Sequence, residues 1–206
     1  MQKFVISIGR QLGSGGKEIA EKLAERLHIP VYDKKLLEVA AKESGLDTTA
    51  FESADEKESN SLFGGVFSIH GSLSGFLSGG SCMESDQLFL IQSEAIRKIA
   101  EKEACIIIGR CAEYVLRDNP NMISIFITAD KSERIQRIAK KKMVDENKAN
   151  ELIEKGDKKR RSYHDYYATT HWGEAHSYDL CINSSLMGIE GTVELLYSLI
   201  KNRFGL

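Results

Sequence analysis

The chain has 206 residues, 42% of them hydrophobic and 28% charged, and a formal net charge of −2. These totals suit one globular domain, or a core with an appended subdomain, with enough apolar residues for a sizeable interior. The net charge argues against a nucleic-acid-binding surface as the main business, and no apolar run approaches the length of a membrane span. The four cysteines show no C-x-x-C spacing. Cys105 and Cys181 sit in apolar, strand-like runs, where a cysteine is usually a small buried hydrophobe. The first residues carry too short an apolar stretch for a signal peptide. A reduced, cytoplasmic protein without a disulfide framework is therefore expected.

Residues 4–8 form an apolar strand. Residues 17–27 form a helix, with Ile19, Ala20, Leu23, Ala24 and Leu27 on one face. Between them lie Gly9, Gly13, Ser14, Gly15 and Gly16, followed by Lys17 and Glu18. A glycine-rich turn from strand to helix presents a row of backbone N–H groups at a helix N-terminus, an arrangement that holds phosphate. The consensus G-x-x-x-x-G-K-[ST] is met only in part. If Gly16-Lys17 is the G-K pair, Gln11 stands where a glycine is required and Glu18 where Ser or Thr is required. If Gly13-Ser14-Gly15 is aligned instead, Gly16 falls at the lysine position. Two registers stay open: Lys17 meets the phosphates, or Arg10 or an arginine from elsewhere supplies that charge.

A short strand over residues 29–32 ends at Asp33, and a helix is expected over 34–44. Residues 47–81 open acidic and polar, then become rich in Gly and Ser with scattered phenylalanines. No period persists there, so the segment reads either as a loop without regular structure or as a lid closing over a substrate. A helix is expected over 84–102. A strand without alternation, as in a parallel sheet buried on both faces, covers 104–108 and ends in Gly109-Arg110. A short helix (112–117), a strand (122–127) and a helix (131–142) follow. Residues 144–168 read as two helices broken near Gly156-Asp157, with the basic run Lys158-Lys159-Arg160-Arg161. A last strand (180–182) leads through Asn183-Ser184-Ser185 to a closing helix (189–203).

Alternating strands and helices predict an α/β fold, a parallel sheet covered by helices on both faces. Ligands of such sheets sit at the carboxyl ends of the strands. The glycine loop, Asp33, Gly109-Arg110 and Asn183-Ser184 all fall at that edge.

Six motifs in this order resemble the cytidylate kinase-like family, within the P-loop nucleoside monophosphate kinase fold. They are IGRQLGSGGKEIA, IPVYDKKLL, IIIGRCAEYVL, FITADKSERIQRI, KKRRSYHDYY and YDLCINSSLMGIEGTVELL. The resemblance spans nearly the whole chain apart from the Ser/Gly-rich segment. It implies a single kinase domain with a helical lid over about 140–165 and an acceptor-binding insert over about 34–100. It implies ATP and Mg²⁺ as donor and cofactor, and a nucleoside monophosphate as the phosphorylated small-molecule acceptor, CMP or dCMP first. Nucleic acid and membrane are not expected partners.

By this resemblance, Gly13, Ser14, Gly15, Gly16, Lys17 and Glu18 hold the donor phosphates, and Asn183 and Ser184 lie beside the adenine. Lys17, Arg160 and Arg161 act on the transferring phosphate, and Asp33, Lys34 and Arg110 on the acceptor. Arg160 and Arg161 occupy consecutive helix positions, so one of them is expected to reach the reaction centre. Phosphoryl transfer requires such positioning and charge neutralisation more than covalent chemistry. The family's Gly-Arg-Asp is Gly109-Arg110-Cys111 here, which removes a carboxylate that could read the acceptor. Two other readings follow from the altered motifs: a kinase for another small acceptor, or a nucleotide-binding regulatory protein without catalysis.

Overall fold

A computed structural model describes residues 3–33, 39 and 79–206. The helix expected over 34–44 and most of the Gly/Ser-rich segment lie outside the described residues. The chain divides into two compact units, Met1–Lys34 with Arg97–Leu206, and Lys35–Ile96.

The first unit is a five-stranded sheet in the order β2-β3-β1-β4-β5, every pairing parallel. Its strands are β1 (Val5–Arg10), β2 (Val31–Tyr32), β3 (Cys105–Ile108), β4 (Met122–Thr128) and β5 (Leu180–Asn183). Between and after them run α1 (Gly16–Leu27), α2 (Gly79–Lys102), α3 (Ala112–Val115), α4 (Lys131–Lys142), α5 (Glu146–Tyr167) and α6 (Gly188–Phe204). The α/β expectation is met. No helix among the described residues is long and apolar enough to cross a membrane.

The central strands bury both faces, which is why they read as isoleucine runs rather than as an alternation. Side chains still divide between the faces with period two. Ile6, Ile8, Ile106, Ile108, Ile123, Ile125 and Ile127 join one core with Ile19 and Leu23 of α1 and Val193, Leu196 and Ile200 of α6. The other face carries Ser7 and Ser124, both buried, and Phe126, which packs with Trp172 and Tyr178. This second face is the more polar one, and the functional groups gather at its carboxyl end. In the second unit, Leu88 and Ile91 pack against buried Ala95 of α2, and the Ser93 hydroxyl donates to the Phe89 carbonyl at 2.7 Å.

Two expectations are corrected. Residues 146–167 form one helix, not two. Gly156 stays helical because Leu12 packs where its side chain would be; a Cβ there would lie 2.8 Å from Leu12 Cδ2. Asp157 turns its carboxylate to the Leu12 N–H rather than ending the helix. Cys181 is exposed, whereas Cys105 is buried as expected. Position 181 lies on β5, which pairs with β4 alone and is therefore an edge strand.

Candidate functional site

The glycine loop runs from Arg10 at the end of β1 to Gly16, where α1 begins. Five consecutive carbonyls in it, residues 10–14, accept side-chain hydrogen bonds. Arg160 Nη1 donates to the Arg10 carbonyl (3.0 Å) and Ser14 Oγ to that of Gln11 (2.9 Å). Arg134 Nε donates to Leu12 (2.8 Å), Arg137 Nη1 to Gly13 (3.1 Å) and Ser184 Oγ to Ser14 (2.7 Å). Of the loop's own amides, Gln11 N–H donates to the Ile127 carbonyl (3.0 Å), Leu12 N–H to Asp157 (2.7 Å) and Ser14 N–H to the Gln11 carbonyl (3.4 Å). The first-turn N–H groups of a helix have no partner within the helix, so the amides of Gly16, Lys17 and Glu18 add positive potential at the loop's end. Gly16 N–H is within 3.3 Å of Ser14 Oγ.

Gly13 is required twice over. Its φ is +82°, a left-handed conformation that a side chain disfavours, and a Cβ would lie 2.7 Å from the Arg134 carbonyl oxygen. Gly16 is required by contact alone, because a Cβ there would meet Arg10 Cβ at 2.7 Å.

Beside the loop is a cavity of about 420 Å³. Arg10, Arg110, Lys159 and Arg160 bring positive charge to it, and Tyr163, Trp172 and Tyr178 form aromatic walls. Arg110 comes from three consecutive left-handed residues: Gly109 (φ 72°), Arg110 (φ 61°) and Cys111 (φ 54°). Backbone strain of that kind persists where the surroundings over-determine it, often at functional sites. It sets the Arg110 guanidinium over the Tyr163 ring, 5.1 Å from the centroid. Burial first, then the charges of Arg160 and Arg110, push the Arg10 guanidinium down to about 9, with Asp33 pulling the other way. Burial likewise lowers Arg160.

Along the cavity lies a buried polar chain. Ser7 Oγ donates to Glu113 Oε2 (3.2 Å), Glu113 Oε1 is 2.9 Å from His164 Nε2, and His164 Nδ1 is 3.1 Å from Asp165 Oδ1. Asp165 also accepts from the Trp172 N–H at 2.8 Å. Burial alone would lower His164, but the hydrogen bond and charge of Glu113, then those of Asp165, raise it above the ordinary histidine range. The chain ties β1, α3, α5 and the loop after α5 together. Cys111, also on the cavity wall, is raised by burial and by Glu113, so its thiol is not activated.

The other expected residues separate. Arg160 lines the cavity, while Arg161 lies over Trp172 at 5.8 Å. Arg110 faces the cavity. Lys17 is half exposed and pairs with Asp33 at 3.1 Å and Glu21 at 3.6 Å; Lys17 and Asp33 are not among the cavity's lining residues. Ser14 and Ser184 are fully buried and brace the loop. Asn183 bonds Asp130 at 2.8 Å, at the start of α4. Lys34 lies outside the described residues.

A magnesium ion that keeps most of its waters and takes phosphate oxygens needs few protein ligands. Ser14 does not suit it, since its hydroxyl already donates to Gln11 and accepts from Gly16. Glu18, with an exposed side chain in the first turn of α1, and Asp33 fit a water-mediated role.

Sequence reasoning did not reach Glu113, Arg134, Arg137 or Asp157. Glu113 had a signal: it is the lone charge in an otherwise apolar run just after Gly109-Arg110-Cys111. The arginines of α4 were visible only as cations on a helix, since nothing in their spacing refers to a loop more than 120 residues earlier.

The chain is similar over nearly its whole length to several known proteins. A cytidylate kinase from Methanococcus aeolicus is 26% identical over 207 residues, covering 97% of this chain and 99% of that protein. The crystal structure of an uncharacterized protein from Eubacterium ventriosum is 33% identical, with a TM-score of 0.73 over 97% of this chain and 99% of that one. A shikimate kinase from Bacteroides thetaiotaomicron shares the fold at 14% identity, with a TM-score of 0.54 over 97% and 99% of the two chains. The sequence model of the cytidylate kinase-like family matches residues 5–186, and the chain, with its parallel sheet and glycine loop, belongs to that family and has its P-loop, nucleoside monophosphate kinase-like fold.

Proposed function

We propose that the protein transfers the terminal phosphoryl group of ATP to a nucleoside monophosphate, with CMP or dCMP the first acceptors to test. The observation that carries this reading is the convergence of Arg10, Arg110 and Arg160 on one cavity beside the glycine loop. Guanidinium groups suit phosphate oxygens because they make paired, charge-assisted hydrogen bonds. Three of them around one space provide what an in-line phosphoryl transfer requires, namely neutralised charge and fixed geometry.

In this reading the loop amides bind the donor phosphates, and Asn183 borders the adenine. Arg160 reaches the phosphoryl group from α5, the lid helix, and Arg110 reaches the acceptor phosphate. By the resemblance to the family, Lys34 also acts on the acceptor. Magnesium supplies charge neutralisation on the donor phosphates, with Glu18 and Asp33 placed to hold its waters. The aromatic walls exclude water from the transfer.

One residue favours a second reading, a kinase for a different small acceptor. Cys111, buried on the cavity wall, stands where the family places an aspartate, and Glu113 nearby is bonded to His164 and Ser7. The test is ADP formation from ATP and Mg²⁺ with each common nucleoside monophosphate and with non-nucleotide acceptors. Turnover confined to CMP or dCMP supports the first reading. Turnover with a non-nucleotide alone supports the second, and tight ATP binding without any turnover sinks both.

A further inference from the structure

In the consensus loop the lysine opens the helix and reaches back over the phosphates. Here α1 opens at Gly16, with Gly15 (φ 78°) as its cap. The residue at the lysine's structural place is therefore a glycine, and Lys17 is one position further on. One step along an α-helix turns a side chain by about 100° around the axis. That turn accounts for Lys17 pairing with Asp33 after β2 and with Glu21 one turn along α1.

The volume left by the missing side chain is filled. Arg10 Cβ and Cγ would lie 2.7 and 3.2 Å from a Cβ on Gly16. The same arginine extends to β3's loop, where its Nη1 would lie 2.6 Å from a Cβ on Gly109. The side chain thus crosses from the mouth of α1 to the loop that carries Arg110, and its guanidinium faces the cavity. Arg160 bonds its carbonyl from the opposite side.

We infer that Arg10, and not Lys17, is the cation this glycine loop gives to the phosphate chain, carried on the last residue of β1 rather than on the first turn of α1. The inference rests on the reading of the loop as a phosphate site, and it concerns one residue's role in it. Among the described residues, the acid on the cavity wall, Glu113, is bonded to His164 and Ser7, and the charge of Asp33 only partly offsets the effect of burial and of the neighbouring cations on Arg10. Such a group of cations is unfavourable when empty and favourable once an anion enters. Gly16 and Gly109 act as the two spaces that admit the Arg10 side chain.

The test uses the full chain with inorganic tripolyphosphate and with ATP–Mg²⁺, read by calorimetry and by the fluorescence of Trp172, the chain's single tryptophan, on the cavity wall. Arg10→Ala is expected to weaken tripolyphosphate binding by about tenfold or more, as for loss of a charged hydrogen-bonded pair. Lys17→Ala is expected to lose clearly less. Arg10→Lys keeps the charge but not the planar fork and is expected to fall between wild type and Arg10→Ala; it also serves if Arg10→Ala does not fold. The inference is overturned if Lys17→Ala loses more than the Arg10 variants, or if wild type does not bind tripolyphosphate. It stands, while the kinase reading falls, if the Arg10 variants lose binding but wild type phosphorylates no acceptor. It falls, while the kinase reading stands, if Arg10→Ala binds tripolyphosphate and turns over as well as wild type.

Discussion

Asp157 of α5 accepts the N–H of Leu12 at 2.7 Å, so the helix expected to act as a lid is fastened to the main chain of the glycine loop. The other carboxylate oxygen bonds Arg134, which in turn donates to the Leu12 carbonyl. One residue of the loop is thus held at both its polar groups by a salt bridge between α4 and α5. That bridge is mostly buried, with side-chain exposures of 8% for Arg134 and 17% for Asp157.

Removing one partner of such a bridge leaves the other charge buried and unmatched. Asp157→Ala is expected to lower stability by about 3 kcal/mol, or roughly 6–12 °C in Tm for a chain of this size. Replacing both partners by apolar residues, as in Arg134→Met with Asp157→Leu, should destabilise less than Asp157→Ala alone. Thermal unfolding of the three proteins decides the matter. A double variant worse than the single one would show that the bridge, together with the two Leu12 backbone groups it satisfies, contributes more than its desolvation removes.

The contact between His164 and Glu113 predicts a pH dependence. The groups facing His164 are Glu113 on α3, Asp165 beside it on α5, and the Tyr178 ring 6.4 Å away. Glu113 and Asp165 outweigh burial and raise the histidine in the folded state. A raised basic group means that the folded chain binds the proton more tightly than the unfolded chain does. Its contribution is then fully present below the ordinary histidine value and is lost as pH climbs through the raised one. Denaturant unfolding at pH 6 and pH 8.5 should show the lower stability at pH 8.5, and His164→Gln should flatten that difference. Equal differences in the two proteins would mean that the fall with pH comes from other groups.

These two examples show what a sequence can reveal about such a molecule. The sheet was legible because three of its strands, β1, β3 and β4, are runs of buried residues with few alternatives to a parallel interior. The glycine loop and Gly109-Arg110 were legible because each needs a rare local composition. The bridges were not. Asp157 sits beside Gly156, a pair that by itself reads as a break, and only the packing of Leu12 against Gly156 explains why the helix continues. Glu113 and His164 are 51 residues apart, and their pairing depends on how α5 returns over α3. Lys17 was legible as a cation next to glycine, but its direction depends on the residue at which α1 starts, and a shift of one position reverses the assignment.

The neighbours Arg160 and Arg161 should separate in kinetics. Arg160 lines the cavity and bonds the loop, while Arg161 stacks on Trp172. If phosphoryl transfer is the reaction, Arg160→Ala is expected to lower kcat by about 100-fold or more, the effect of removing one charge-stabilising donor. Its effect on ATP affinity should be smaller. Arg161→Ala should lose less in kcat, and its loss should appear with Trp172→Phe as a shared, non-additive effect. Equal losses in kcat for the two arginines would contradict the separation.

Gly16→Ala tests whether the space that Gly16 leaves for Arg10 matters to phosphate binding. Gly16 is the first residue of α1, and its φ is not in the left-handed region, so alanine is conformationally acceptable. In a helix alanine is favoured over glycine by up to about 1 kcal/mol. The added methyl would meet Arg10 at its Cβ, 2.7 Å away. That atom is fixed to the main chain rather than being a flexible end, so no change of rotamer relieves the contact: the end of β1 and the start of α1 must move apart, carrying the Arg10 guanidinium from its place beside Gly109. Tm should therefore fall by several degrees despite the helix preference, and tripolyphosphate affinity should fall toward that of Arg10→Ala. In tripolyphosphate affinity, combining Gly16→Ala with Arg10→Ala should add little to either variant alone, because both displace the same charge; the contact at the Cβ persists, since alanine keeps that atom. A Gly16→Ala protein that binds as well as wild type would mean that the phosphate chain does not depend on where Arg10 lies.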